Sequence, residues 1–162
     1  MTVTVRKAQN GDIPAVLRLL EQVGQVHHDI RPDIFRPDAR KYDEAALCQI
    51  FSDPMKPVFV AEGDDGVEGY CFCVHKSCTD HPIFNDRSEL YIDDLCVDAE
   101  SRGSSVAEAL FRHAQGYAQA SGCGVITLNV WCGNGRAMAF YEKMGLTPRN
   151  ITMELPLEDT GC

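Results

Sequence analysis

No apolar run in these 162 residues approaches the ~20 that a membrane-spanning helix requires. Met1 to Lys7 contains no apolar stretch followed by a small-residue cleavage site, so no secretory signal is expected. Positive charge is scarce: 15 Lys and Arg stand against 24 Asp and Glu, a formal net charge of −9. A protein that neutralises many backbone phosphates needs the opposite balance, which argues against nucleic acid as the main partner. The eight cysteines include no C-x-x-C pair, the spacing that zinc knuckles use, so no metal is expected. Reduced thiols without an export signal point to a cytoplasmic protein. Linkers, low-complexity tracts and internal repeats are also missing. The chain therefore reads as a single domain over residues 1–157 with a short tail, 158–162.

What is present suffices for a buried core: 44% of the residues are hydrophobic and 24% charged. Thr2 to Lys7 alternates β-branched residues with others and reads as a strand. Asp12, with Pro14 in the first turn, caps a helix through Ile13, Val16, Leu17, Leu20 and Val23 that is expected to fade near Gly24. Residues 27–37 carry two prolines and read as a loop, and about 39–51 as a second short helix. Val58–Glu62 and Val67–His75 are strands around Gly63-Asp64-Asp65-Gly66, which is hairpin chemistry. Cys71 and Cys73 share one face of their strand as small buried groups.

Glu89–Val97 is a further strand with Asp93-Asp94 inside it, and Gly103 opens a long helix closed by Gly122. A strand at Val125–Trp131, a helix at Asn134–Met144 and a last strand at Arg149–Leu157 complete the order. Consecutive strands early and strand–helix alternation late predict an α/β protein, a mixed sheet with helices on both faces.

The most informative stretch runs from Leu95-Cys96-Val97 through Arg102 into Gly103-Ser104-Ser105-Val106-Ala107. A helix start presents unpaired N–H groups and a partial positive charge, and small residues let phosphate oxygens approach them. Arg102 adds a charged donor. The same residues also suit an ordinary surface helix start, and they match neither a Walker loop nor G-x-G-x-x-G.

Together with Asn134, Ala137, Phe140-Tyr141 and Gly145-Leu146 about thirty to forty residues later, this stretch resembles the GNAT family of N-acetyltransferases. The likeness extends from the first strand to about Leu155. The run Tyr91 to Val97 is similar to the acidic strand of diamine acetyltransferases, and ribosomal-protein acetyltransferases form the other related branch. The resemblance implies the GNAT fold, a mostly antiparallel mixed sheet splayed at the strand around residues 89–97. It implies acetyl-CoA as co-substrate, without metal, contacted by Leu95, Cys96, Val97, Arg102, Gly103, Ser104, Ser105, Val106, Ala107 and Asn134. In that scheme the Leu95 N–H polarises the thioester carbonyl and Tyr141 protonates the departing thiolate.

Asp93 is the expected base. Adjacent strand residues point to opposite faces, so only one of Asp93 and Asp94 is expected to face the cleft directly. Asp94 is the structural partner or a secondary substrate contact, with Glu89 and His75 in reserve. His27, His28 and Phe35 fall where the family builds its substrate-side lip. The expected acceptor is a primary amine, with a small amine or polyamine favoured by the acidic strand and the net charge. A peptide or protein N-terminus is the alternative. A weakly active coenzyme-binding module is the third reading, because Ser105 replaces the motif's central glycine and its β-carbon would crowd a pyrophosphate. The family often pairs as homodimers through C-terminal strands.

Overall fold

A computed structural model of the chain describes residues 2–102 and 105–157. The chain divides into two compact units, Met1–Asn129 and Val130–Cys162. The first holds five strands: β1 (Thr4–Lys7), β2 (Val58–Gly63), β3 (Gly66–Cys78), β4 (Arg87–Val97) and β5 (Val125–Leu128). They lie side by side in chain order, β1 to β4 antiparallel and β5 parallel to β4. The parallel step follows from α3 (Val106–Ala120), which carries the chain back before β5 begins. This is the mixed, mostly antiparallel sheet that the sequence predicts.

Helices α1 (Ile13–Ile30) and α2 (Glu44–Ser52) cover one face and α3 the other. On the first face Ile13, Val16, Leu19, Leu20 and Leu47 form one core with Val58, Val60, Tyr70, Phe72 and Cys96. Each such side chain contributes about 1.5–3 kcal/mol by leaving water. The strand period of two sends intervening residues the other way: Phe59 meets His113 and Tyr117 of α3 edge-on. Cys71 and Cys73 are buried side by side, sulfur to sulfur 3.7 Å, as small core groups.

Three expectations need correction in the first unit. Helix α1 does not end near Gly24 but runs to Ile30, so His27 and His28 are helical. Gly24 is there for space: a β-carbon on it would sit 2.3 Å from the Ala39 carbonyl oxygen. Asp12 precedes α1 without capping it; its carboxylate instead takes both terminal nitrogens of Arg6, at 2.8 and 2.9 Å, and ties β1 to the helix start. Helix α2 begins later than expected, at Glu44, because the Asp43 carboxylate accepts from the Ala46 N–H and caps it.

In the second unit, α4 (Gly135–Lys143) follows the expected pattern, with Gly145 at φ +100° just past its end. The expected last strand is not formed: residues 146–157 have no regular secondary structure. Ile151, Met153, Leu155 and Leu157 alternate as a strand would, yet are 77–86% exposed. Alternation marks a strand's faces but supplies no ladder. Trp131 is also exposed and does not join the core. The expected tail 158–162 lies outside the described residues.

Candidate functional site

Strand β4 departs from regular pairing where its two carboxylates lie. Its register with β3 pairs Cys73 with Ile92 and Phe72 with Asp94, so Asp93 is an extra residue, a β-bulge. The bulge breaks the alternation, and Asp93 and Asp94 do not point to opposite faces as the sequence implied. Both engage the aromatic layer beside α1 and α2. Tyr42 donates its hydroxyl to Asp93 at 2.9 Å and stacks on Phe72, 5.4 Å between ring centres. Tyr70, edge-on to the same Phe72, donates to Asp94 at 2.7 Å.

The two carboxylates differ in environment. Asp93 also receives the Lys41 ammonium at 2.8 Å. Asp94 has no cation bonded to it among the described residues. Burial, with the Asp93 charge adding to it, pushes Asp94 up to about 6 against the Tyr70 hydrogen bond and the field of Lys41. A carboxyl poised there is ionised at neutral pH and remains a useful proton acceptor. Burial raises the Tyr42 phenol as well, helped by its bond to Asp93, so it stays a donor.

Beyond Asp94 the strand has an unpaired side. Strand β5 pairs with β4 from Glu89 to Ile92 only. From Asp93 to Val97 no described strand takes that edge, which is the splay the family resemblance implies. Leu95 and Val97 are half-buried there. Cys96 is different: its side chain is in the core, 5% exposed, with the sulfur toward the Leu19 carbonyl. Burial pushes its thiol up to about 12, with Asp94 adding to the effect, which removes it as a nucleophile. Any coenzyme contact by Cys96 runs through its backbone.

The expected lip residues come together. His27 stacks on Phe35 at 4.9 Å, and His28 Nδ1–H donates to the Phe35 carbonyl at 2.8 Å. Burial, then the Lys41 charge, holds His27 below the ordinary imidazole value. Lys41 thus links the lip to Asp93. No group of three metal-ligating side chains occurs among the described residues. The reserve groups are engaged elsewhere: His75 with Tyr117 and Cys123, and Glu89 with Thr127.

The segment from β4 to α3 is anchored before it reaches Arg102. Asp98 receives Arg18, and Gln22 accepts from the Ala99 N–H at 3.0 Å, both from α1. Gly103 and Ser104 lie outside the described residues. Helix α3 starts at Val106, after Ser105 at φ −84°, and the Ser105 side chain makes no cap bond. Val106 is buried and Ala107 half-buried behind it. The Ser105 hydroxyl therefore does not compete for the first-turn N–H groups, and a negative φ places no strain on a residue with a β-carbon. These features suit a coenzyme laid along the open β4 edge with its phosphates at the α3 start. A cavity of about 270 Å³ beside Arg102 and Ser105 is a poorer phosphate site, because Asp64, Glu68 and Glu100 also line it.

In the second unit Tyr141 is half-buried on α4, edge-on to Phe140 at 5.3 Å. Asn134 uses its side-chain oxygen to cap that helix, accepting from Ala137 N–H at 3.2 Å, which leaves its amide nitrogen and one lone pair of the oxygen for a coenzyme. The sequence did not single out Lys41, Tyr42 and Tyr70, which contact the two candidate carboxylates. Their partners are 24 to 52 residues away, and only the two aromatics two positions apart on β3, Tyr70 and Phe72, hinted at a layer there.

A model of the Acetyltransferase (GNAT) family matches residues 23–146. Thialysine N-epsilon-acetyltransferase of Bos taurus is 22% identical over 151 residues, covering 88% of this chain and 83% of that protein. A Bacillus subtilis protein named for N-acetylation of the alanine of ribosomal protein bS18 is 26% identical over 103 residues, 64% of this chain and 62% of its own length. A crystal structure of a mutant of the BH1408 protein of Bacillus halodurans is 30% identical, with a TM-score of 0.92 over 96% of this chain and 99% of that one. The fold, the open edge of β4 and a match spanning most of the sequence agree: the chain belongs to the Acetyltransferase (GNAT) family.

Proposed function

We propose that this acetyltransferase moves an acetyl group from acetyl-CoA to a primary amine by direct attack in a ternary complex. One observation carries the reading: the β4 bulge puts two unlike carboxylates on one face, next to the unpaired edge at Leu95 to Val97. Acetyl-CoA supplies the activated thioester. The Leu95 N–H polarises its carbonyl, and such preorganised backbone donors are worth about 3–4 kcal/mol. Arg102 and the first-turn N–H groups of α3 hold the phosphates. Asp94 accepts the proton of the attacking amine, a role its environment suits better than that of Asp93, which is already paired with the Lys41 ammonium and hydrogen-bonded by Tyr42. Asp93 orients. Tyr141 protonates the leaving thiolate.

A single N-acetyltransferase domain over residues 1–157 belongs to the same proposal; the family match supports it by crossing the boundary between the two units. Cytoplasmic residence does too, resting on cysteines that are free throughout the described residues. A small amine or polyamine is the favoured acceptor, supported by the net charge of −9 and by the thialysine-acetylating relative. A peptide N-terminus is the second reading, favoured by the Bacillus subtilis relative. The non-catalytic module loses part of its motive, since Ser105 sits at φ −84° and needs no glycine. Coenzyme A release with small amines, polyamines and peptides decides among them. Turnover with small amines supports the first reading and peptide-only turnover the second, while tight acetyl-CoA binding without turnover contradicts both.

A further inference from the structure

The site already holds a primary amine. Lys41 Nζ lies 2.8 Å from Asp93 Oδ2, and its ammonium reaches close enough to act on Asp94 and His27 through space. The side chain is 48% exposed, so it is not walled off from a thioester arriving along β4. Its backbone is held in place, because the adjacent Tyr42 is anchored by both its hydroxyl bond to Asp93 and its stacking on Phe72. The other four lysines, Lys7, Lys56, Lys76 and Lys143, stand elsewhere in the chain. Lys76, for example, lies over the Tyr91 ring at 3.9 Å. An enzyme for amines thus presents one of its own at its candidate carboxylates.

We propose that Lys41 is an acceptor of its own chain's acetyl transfer, an intramolecular self-acetylation site; this rests on the acetyl-CoA reading above. The ammonium gives one proton to a carboxylate, and the freed lone pair attacks the thioester carbon. A C–N bond forms and the C–S bond breaks. Of the two protons lost from nitrogen, one leaves with coenzyme A as its thiol and the other reaches solvent. The resulting amide is uncharged, so the Lys41–Asp93 ion pair ends and Asp93 keeps only the Tyr42 hydroxyl.

The test incubates purified protein with isotopically labelled acetyl-CoA and no added amine, then maps acetyl groups on all five lysines by peptide mass spectrometry over time. A parallel sample measures coenzyme A release with an amine panel, and another the thermal shift with acetyl-CoA. The proposal expects Lys41 to be labelled more than about tenfold faster than Lys56 and Lys76, because proximity raises its effective concentration. The rate constant should not depend on protein concentration. Asp94→Asn should slow labelling at Lys41 and leave Lys56 and Lys76 unchanged, and Lys41→Arg should lose the fast site. Equal rates at Lys41, Lys56 and Lys76, in a preparation that turns over an amine, would overturn self-acetylation and leave the enzyme reading intact. No thermal shift, no turnover and no labelling would overturn both.

Discussion

Replacing Asp94 by asparagine separates the cost of holding a charge at this site from its use. The carboxyl moves from 3.8 to about 6 on folding, mainly because burial strips water from the ionised form. At 1.36 kcal/mol for each pH step, the ionised side chain costs the fold about 3 kcal/mol. The sign follows from proton counting. Between the two values the native state binds more protons than the unfolded state, so this group's contribution is fully favourable below 3.8 and is lost as pH rises through about 6. Asparagine fills the same volume, still accepts from the Tyr70 hydroxyl, and carries no charge. Its amide nitrogen must find an acceptor, which takes back about 1–2 kcal/mol. Asp94→Asn should therefore be more stable than the parent by about 1–2 kcal/mol at about pH 8, and the advantage should vanish or reverse near pH 4. Urea unfolding of both proteins across that range is the assay, and the difference between them cancels the other carboxyls, Asp12 and Asp98 included. A variant less stable by the same amount at every pH would refute the reasoning.

Gly24→Ala places a β-carbon against a backbone carbonyl that has little room to move. Overpacking of this kind costs about 1–3 kcal/mol, read as a lowered urea midpoint, and an unchanged midpoint would mean that the segment at Ala39 yields freely. Tyr141→Phe removes only a hydroxyl, so kcat should fall about 10²–10⁴-fold while acetyl-CoA affinity measured by calorimetry holds; matched kcat values would remove the acid role. Ser105→Gly should leave the acetyl-CoA dissociation constant unchanged and cost only a few tenths of a kcal/mol in stability, since φ is −84° already. A clear gain in affinity would show that the Ser105 β-carbon does crowd the phosphates.

Local chemistry was legible in the sequence. Asp-Gly placed the β2–β3 turn, Gly122 and Gly145 marked helix ends at positive φ, and period-two runs placed β2 to β4. What depends on partners far along the chain was not. Gly24 looks like a helix stop until Ala39 is seen against it. The bulge at Asp93 is a fact about register with β3, and no pattern within β4 announces it. Strict alternation therefore misplaced the faces of the two carboxylates just where pairing is irregular, at the residues the proposed mechanism uses. Residues 151–157 alternate as a strand does, but hydrogen-bond partners make a strand, and alternation cannot supply them.

The central claim is that Asp94 takes the proton of the acceptor amine while Asp93 orients, and the pH dependence of kcat/KM for a small amine tests it most directly. The parent should show an acidic limb near about 6, the value at which Asp94 gains its proton. Asp93→Asn should keep that limb at reduced rate, and Asp94→Asn should lose it. An unchanged limb in Asp94→Asn together with a lost one in Asp93→Asn would contradict the account and hand the proton to Asp93.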